Sequence, residues 1–139
     1  MRLFIDTNVY LEYFLKREEF DSVYYFFNHV ILFHHQTYLS AMSLRDIGYI
    51  VHKYTHDIEK TRKIQLLAYK MTSKVASTSA DSAIESLYVD ENDYEDSLQY
   101  YAASETMCDA IITLNKKDYK QSKIPVLTPK ELCDLDLKK

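Results

Sequence analysis

The chain has few of the residues that most often form turns: one glycine and two prolines among 139 residues. A β-sandwich needs many turns built from such residues, so their scarcity argues against that class and favours helices joined by short connections. Because the only glycine lies at position 48, the sequence also excludes every glycine-rich phosphate-binding loop.

Cysteine and long apolar runs are scarce as well. The two cysteines, Cys108 and Cys133, have no metal-binding spacing and lie in apolar surroundings, which predicts small core residues in a reducing compartment. No apolar run approaches the ~18 residues that a membrane helix needs. No signal peptide is visible, because Met1 and Arg2 lead directly into strand-like sequence. We therefore expect a soluble, cytoplasmic protein without membrane contact.

A strongly basic charge balance is also absent. The chain has 17 Lys and Arg against 21 Asp and Glu, a formal net charge of −4, which counts against a nucleic-acid-binding protein. This objection weakens if several of the acids bind a metal ion, since the ion offsets their charge. Basic residues cluster in residues 60–63 and 116–123. A solvated surface is the ordinary explanation of both clusters and explains the first at least as well as function does. The second lies beside a candidate site residue, which favours phosphate steering there.

The chain does contain an alternation of apolar strands and amphipathic helices. Its length and its apolar fraction of 47% predict one domain, residues 1–139, with one core. Predicted strands cover residues 2–5, 35–40, 74–77, 110–113 and 125–128. Predicted helices cover residues 8–17, 22–33, 44–54, 58–72, 79–87 and 93–107, and a last one begins near residue 128. This alternation predicts a three-layer α/β/α fold around a mostly parallel sheet.

Capping residues mark several predicted helix starts. Asn8, Ser43, Asp57 and Asp93 are each expected to cap the helix that follows. Residues 128–131, Thr-Pro-Lys-Glu, have the pattern of a helix N-terminus with a capping box and proline at the first helical position.

Asp6 is the most informative single residue. It follows the apolar run Leu3-Phe4-Ile5, which predicts a buried strand with a carboxylate at its C-terminal end. Ligands of open α/β sheets bind at this end of the strands. Asp6 could cap the next helix, but Thr7 and Asn8 lie closer to its start. A buried, unpaired carboxylate is costly, so a bound metal or a cationic partner is the better explanation.

Asp46 and Asp96 are weaker candidates, because each has an ordinary structural explanation. Asp46 lies on an amphipathic helix, where an exposed Asp near the N-terminus interacts favourably with the helix dipole. Asp96 shares one helical turn with Asp93 and Glu95, and a solvated acidic first turn accounts for all of them. The residues alone leave open whether Asp93 or Asp96 faces a site.

Asn115 and Asp118 follow the predicted strand 110–113 and therefore fall at the same sheet edge as Asp6. A polar turn is the alternative explanation for both. Carboxylates gathered at this edge would hold a hard divalent cation, whose typical chemistry is on phosphates. The sequence thus favours a metal site acting on phosphate esters.

Histidine and tyrosine give no comparable signal. The five histidines share no face with the acids and show no zinc spacing, so we expect surface or core-edge residues. Tyrosines such as Tyr24, Tyr25, Tyr100 and Tyr101 could stack on bases, but their helical spacing favours packing.

In their order along the chain, these segments resemble the PIN-domain family of metal-dependent ribonucleases, the fold of VapC-type toxins. Residues 3–8, Leu-Phe-Ile-Asp-Thr-Asn, resemble the opening strand and first acid of the family. Residues 38–47 are similar to the segment with the second acid, and residues 93–103 to the segment with the third, which maps to Asp96. Residues 109–119 resemble the final motif, and residues 124–132 the usual ending. The resemblance covers nearly the whole chain.

Two positions depart from the family pattern. The second acid is usually Glu, whereas here it is Asp46, which is shorter by one methylene group. The position usually held by a fourth acid is Asn115, with Asp118 three residues further on. Family members with Asn at this position are familiar, so the departure does not imply an inactive enzyme. It leaves open whether Asn115 or Asp118 completes the site.

The resemblance implies a metal-dependent endoribonuclease that uses Mg²⁺ or Mn²⁺. Asp6 and Asp96 would be the main metal ligands, with Asp118 as the last negative charge. Asp46 would complete the site and orient the water, and Thr113 could hydrogen-bond a carboxylate or the scissile phosphate.

The same resemblance implies an RNA substrate and a small inhibitory antitoxin protein, and it leaves open pairing with a second copy of the chain. Two alternatives remain. One is an RNA-processing nuclease outside toxin–antitoxin systems, and the other is a catalytically weak RNA-binding or interaction module, which the departures at Asp46 and Asn115 favour.

Overall fold

A computed structural model describes residues 1–88 and 93–138 of the chain. Its strands are β1 (Arg2–Ile5), β2 (Gln36–Ser40), β3 (Lys74–Ala76), β4 (Ala110–Ile112) and β5 (Val126–Leu127). The α-helices are α1 (Thr7–Phe14), α2 (Phe20–Leu32), α3 (Ala41–Thr55), α4 (Ile58–Lys70), α5 (Ala80–Glu85), α6 (Tyr94–Glu105) and α7 (Pro129–Leu137). Short 3₁₀ turns cover Ser86–Tyr88 and Lys116–Tyr119.

The strands form one five-stranded sheet in the order β3-β2-β1-β4-β5, and every neighbouring pair is parallel. Phe4 pairs with Tyr38 of β2, and Ile5 pairs with Ile112 of β4. This register places the C-terminal ends of the three central strands side by side. The residues that follow those strands therefore meet at one edge of the sheet.

Apolar residues cover both faces of the sheet and confirm the predicted α/β/α layers. Leu3 and Ile5 point into a core shared with α1, α2, α3 and α7, whereas Phe4 points into a second core with Ala102 of α6. The three apolar side chains of β1 are fully buried, which stabilises the fold by roughly 1.5–3 kcal/mol for each. Both cysteines are free and buried, as predicted. The expected packing of Tyr24 and Tyr25 is wrong, since both rings are more than half exposed.

Side-chain caps begin most of the helices. Asp57 and Asp93 cap α4 and α6 as predicted, and Thr128 and Glu131 form the predicted capping box of α7.

No helix among the described residues is long and apolar enough to cross a membrane.

Several helices end without the glycine that usually occupies the left-handed position after the C-cap. Lys16, His34, His56 and Met107 have φ between 48° and 58°, and each follows the end of a helix. After α6, Met107 N–H donates to the Ser104 carbonyl and Cys108 N–H donates to the Ala103 carbonyl, both at 3.0 Å. This pair of bonds is a Schellman motif.

Candidate active site

Asp6 lies inside the protein at the carboxyl end of β1. Its backbone N–H donates to the Ile112 carbonyl at 2.9 Å, which continues the pairing of β1 with β4. Its side chain is buried, and Oδ1 accepts a hydrogen bond from the Thr7 N–H at 2.8 Å. Asp6 is therefore the cap of α1, and the prediction that Asn8 caps this helix is wrong. Asp6 alone separates the end of β1 at Ile5 from the start of α1 at Thr7, so it is the residue placed to cap the helix.

Thr113 and Asn8 hold the other carboxylate oxygen of Asp6. Thr113 Oγ1 donates to Asp6 Oδ2 at 2.9 Å, and Asn8 Nδ2 lies 3.4 Å from the same oxygen. Asn8 Oδ1 in turn accepts from the Leu114 N–H at 3.1 Å, so it joins the start of α1 to the end of β4. Thr113 is fully buried behind Asp6. Its hydroxyl therefore orients the carboxylate and is out of reach of a phosphate.

A cavity of about 490 Å³ opens at this edge of the sheet, and Asp6, Asp46, Asp96 and Asp118 all line it. They come from the end of β1, from α3, from α6 and from the turn Lys116–Tyr119. Residues far apart in the sequence thus bring four carboxyl groups to one opening. Glu95 lines the same cavity and adds a further acid.

Burial and mutual repulsion perturb three of these carboxyl groups. Burial raises the pKa of Asp6, and the hydrogen bond from Thr113 opposes this rise. Burial and then the negative charges of Asp118 and Asp6 raise the pKa of Asp96 to about 7. Burial also raises the pKa of Asp118, against the effect of a hydrogen bond from Asn115. Carboxyl groups that resist ionisation together in a cleft are typical of a cation site.

Asp46 reaches the cavity from the second turn of α3 and forms an ion pair with its neighbour. Arg45 Nη2 lies 2.9 Å from Asp46 Oδ1, and the Arg45 side chain is 69% exposed, so water screens the pair strongly. The helix is capped by Ser40, whose Oγ accepts from the Ser43 N–H at 2.9 Å. The prediction that Ser43 is the cap is wrong, because β2 continues into α3 without a loop.

Asn115 and Asp118 lie together but face the cavity differently. Asn115 is exposed at the start of the turn Lys116–Tyr119, and its Nδ2 donates to Asp118 Oδ1 at 2.9 Å. Asp118 lines the cavity. Asn115 therefore acts on the cavity through the orientation of Asp118.

The acids face one another across the cavity without converging tightly. Within residues 1–88 and 93–138, the one group of three or more His, Cys, Asp or Glu residues whose ligand atoms all lie within 4.8 Å of one another is His29, His35 and Asp136, away from this cavity. Mg²⁺ usually keeps several of its waters and binds through one or two carboxylates. The spread of the acids suits such a partly hydrated ion.

Sequence reasoning missed Gln99, which lies one turn after Asp96 on α6. Its side chain is buried, and Nε2 contacts Asp6 Oδ1 at 3.3 Å, Thr7 Oγ1 at 3.2 Å and Ser43 Oγ at 2.8 Å. It therefore ties α6 to the start of α1 and to α3 beneath the cavity. The spacing from Asp96 was a signal, because residues three apart share a helix face.

Two more residues near the cavity had no sequence signal. Lys53 of α3 also lines the cavity, and it is the one Lys or Arg among the described residues that do so. Tyr119 is buried, and burial followed by the charges of Asp6 and Asp96 raises its pKa well above the usual range. Of the basic cluster in residues 116–123, Lys116 pairs with Glu131 at 3.1 Å and so points towards α7.

Residues 2–117 match the model of the family described as PIN domain. The chain belongs to the PIN domain family. The matched range contains Asp6, Asp46, Asp96 and Asn115, and it ends one residue before Asp118.

Two solved structures share the fold of this PIN domain. One, a chain of VapBC2 from Rickettsia felis bound to a DNA fragment from its promoter, has a TM-score of 0.68 and 18% identity, with 91% of this chain and 97% of that chain covered. The other, a chain of a toxin–antitoxin complex from Klebsiella pneumoniae, has a TM-score of 0.64 and 19% identity, with the same coverage of 91% and 97%. At these identities the likeness concerns the fold alone. No curated protein matches the sequence.

Proposed function

We propose that this protein is a metal-dependent endoribonuclease that hydrolyses RNA phosphodiester bonds in the cytoplasm and acts as the toxin of a toxin–antitoxin pair. In this proposal one PIN domain spans residues 1–139. The observation that supports it best is the cavity of about 490 Å³ at the carboxyl edge of the sheet, which four aspartates line. Without a cation these carboxylates would repel one another; burial first, and then the charges of Asp118 and Asp6, raise the pKa of Asp96.

The side chains fit Mg²⁺ or Mn²⁺, which are hard cations that bind oxygen ligands. Asp6 and Asp96 would hold the ion, directly or through water, and Asp118 would supply a further negative charge. The bound ion would stabilise negative charge on the phosphate and lower the pKa of a bound water.

The other residues of the cavity would orient the reactants. Asp46 would accept a hydrogen bond from the attacking water, and Lys53 would attract the RNA phosphate, since it is the basic residue of the lining. Thr113 and Gln99 would keep the Asp6 carboxylate in place from behind.

The decisive experiment is a cleavage assay on single-stranded RNA with metal-stripped protein. We expect cleavage after addition of Mg²⁺ or Mn²⁺ and none in EDTA. Asp6→Asn and Asp96→Asn should each lower the rate by at least about 100-fold while the circular dichroism spectrum stays unchanged. Asp134→Asn, an acid on α7 that pairs with Lys130, is the matched control and should cleave normally. Cleavage that persists in EDTA, or in both site variants, would refute the metal mechanism.

The antitoxin part of the proposal rests on the acidic cavity. An Arg side chain of a small partner protein could pair with two carboxylate oxygens there and block access of RNA. Expression of the wild-type chain alone should then slow bacterial growth, and Asp6→Asn should relieve the effect. Normal growth with folded, active protein in the cells would favour the alternative of an RNA-processing nuclease.

Two observations favour a second candidate, a catalytically weak RNA-binding module. The Arg45–Asp46 ion pair reduces the negative charge at one side of the cavity, and Asn115 contributes no charge. Such a module would bind RNA in the presence of metal but would leave it uncut. Arg45→Gln should raise cleavage if the pair merely weakens the enzyme, and should change nothing if the chain is a binding module.

A further inference from the structure

A second group of ligand-type side chains lies at the opposite edge of the sheet. His35 immediately precedes β2, so it lies at the amino edge, whereas Asp6 follows β1 at the carboxyl edge. His29 comes from α2 and Asp136 from α7. The prediction of a surface or core-edge position is wrong for His29, which is buried.

The end of α2 explains how the two histidines meet. His34 adopts the left-handed conformation, with φ 58°, and its N–H donates to the Ile31 carbonyl at 3.1 Å. The His35 N–H donates to the Val30 carbonyl at 2.9 Å. This Schellman motif turns the chain back over the last turns of the helix and brings His35 beside His29.

The two imidazoles direct the same kind of atom at one carboxylate oxygen. His29 Nε2 and His35 Nε2 each lie 2.7 Å from Asp136 Oδ2. The three ligand atoms all lie within 4.8 Å of one another. The side chains are only 2%, 6% and 4% exposed for His29, His35 and Asp136. Three ligands from separate elements thus converge on one small, nearly dry volume.

Neighbouring groups fix the two rings. His35 Nδ1 lies 3.0 Å from the Met1 nitrogen, and the His29 ring stacks on Phe33 with centroids 4.1 Å apart and planes 20° apart. The ring of Phe33 restrains His29, and the Met1 ammonium donates to His35 Nδ1, which leaves the ring proton of His35 on Nε2, facing Asp136. Burial raises the pKa of Asp136, but the hydrogen bonds from His35 and His29 outweigh it and keep the pKa below the usual value.

We propose that His29, His35 and Asp136 supply the three protein ligands of a zinc-binding site. Imidazole nitrogen and carboxylate oxygen are common zinc ligands, and two histidines with one acid form a known ligand set. Zinc distances near 2.1 Å would require ligand atoms about 3.3 Å apart, so the 2.7 Å contacts need to open by only a few tenths of an ångström. Zinc bound at each Nε2 would leave the ring proton on Nδ1. At His35 the Met1 ammonium would then release one proton to solvent, so that its amine accepts from the new Nδ1–H.

Zinc at this position would fasten α7 to α2 and to the start of β2. Ligand binding to the folded state alone raises its stability, so the ion should stabilise the docking of the C-terminal helix. This site is independent of the carboxyl-edge cavity, and its acid and nitrogen ligands differ from the all-oxygen set there.

The same contacts also fit a metal-free clasp in which each histidine hydrogen-bonds to Asp136, and calorimetry separates the two. Metal-stripped wild-type protein should bind one Zn²⁺ per chain at this site and melt at a higher temperature with Zn²⁺. His35→Gln should weaken this binding by more than the roughly 10–100-fold that loss of a supporting residue causes. His52→Gln, which changes an exposed histidine of α3, is the matched control and should bind as the wild type does. Asp96→Asn should also keep this site, since it alters only the other edge.

Two further measurements test the site even if His35→Gln fails to fold: the absorption spectrum with Co²⁺, and metal binding by the variant Asp136→Cys. Co²⁺ should give the intense visible absorption of a tetrahedral site with nitrogen ligands, which an octahedral oxygen site lacks. Asp136→Cys replaces one zinc ligand by another, so it should retain Zn²⁺ and add a sulfur-to-cobalt band. If the contacts are a metal-free clasp, Zn²⁺ should not raise the melting temperature, and Asp136→Cys should only weaken the clasp. No Zn²⁺ binding by wild type, or equal binding by His35→Gln and wild type, would overturn the proposal.

Discussion

Thr113 donates its only hydroxyl hydrogen to Asp6. The bond measures 2.9 Å, and two donors, Asn8 Nδ2 and the Asn115 N–H, each at 3.1 Å, occupy the lone pairs of the same hydroxyl oxygen. The direction of the hydrogen is therefore fixed by its surroundings. A buried threonine thus decides how the central carboxylate of the cavity is held.

Thr113→Val keeps the shape of the side chain and removes this hydrogen bond. Asp6 would lose the strongest influence that opposes the rise of its pKa. We expect metal affinity to fall about 10–100-fold, as for other residues that orient a ligand. The unfolding free energy should fall by about 1–3 kcal/mol, since buried donors lose their acceptor. Calorimetry with Mn²⁺ and denaturant unfolding measure these changes.

Thr113→Ser is the matched control, because it keeps the hydroxyl and removes only the methyl group. It should bind Mn²⁺ almost as the wild type does. Equal loss of affinity in the Ser and Val variants would assign the effect to packing at the end of β4 rather than to the hydrogen bond.

The pKa of about 7 for Asp96 predicts how stability depends on pH in the metal-free protein. An unfolded Asp has a pKa near 3.9, so the folded chain holds more protons between about pH 4 and pH 7. The contribution of Asp96 to stability should therefore be fully present below this window and should be lost as pH rises through about 7. Urea unfolding in EDTA between about pH 5 and pH 8 measures the slope.

Asp96→Asn should flatten this slope, because the amide does not titrate. Saturating Mg²⁺ should flatten it as well, since the cation offsets the charge that disfavours ionisation. Metal affinity of the wild type should rise with pH up to about 7 and then level off. A wild type whose metal-free stability increases across this range would contradict the raised pKa.

The last negative charge of the cavity is predicted to come from Asp118. Asp118→Asn should weaken Mn²⁺ binding, because a neutral amide oxygen is a poorer ligand for a hard cation than a carboxylate. Asn115→Asp should tighten binding, since it adds a carboxylate beside Asp118, where Asn115 Nδ2 now donates at 2.9 Å. Unchanged affinity in both variants, measured by calorimetry, would leave this pair with a structural function in the turn.

The sequence predicted the fold well where local signals and tertiary structure agree. Strand β1 was placed at residues 2–5, where the structure has it, since an apolar run followed by Asp6 allows little else. The predicted cap Ser43 failed because Ser40, three residues earlier, ends its strand and caps the helix with one residue. A sequence pattern that assumes a loop between strand and helix cannot detect such a direct passage.

Local sequence patterns could not predict contacts between residues that lie far apart in the chain. Asp136 lies 107 residues from His29 and 101 from His35, so no spacing rule connects them. Gln99 likewise reaches Asp6 from 93 residues away. The strand ends of a parallel sheet indicated a shared edge for Asp6, Asn115 and Asp118, whereas Asp46 and Asp96 joined the predicted site through the resemblance to the PIN-domain family. No comparable rule predicts which side chains meet at the amino edge of the sheet, where His29, His35 and Asp136 lie.

Met107 offers a test of the helix ends that lack glycine. It has φ 54° and its side chain is 73% exposed, so Met107→Gly removes the left-handed strain and almost no buried contact. We expect the unfolding free energy to rise by roughly 0.5–1 kcal/mol. Met107→Ala keeps the Cβ atom and should leave stability unchanged. A gain of the same size in both variants would show that the exposed thioether, and not the backbone, destabilises the wild type.

The scarcity of glycine also affects the unfolded chain. Glycine has the greatest backbone freedom of any residue and loses the most entropy on folding. A chain that ends its helices with Lys16, His34, His56 and Met107 accepts local strain in the native state. In exchange, its unfolded ensemble has fewer conformations to lose, which partly offsets that strain. At these four positions the backbone strain lowers the stability of the native state, while the smaller number of unfolded conformations raises it.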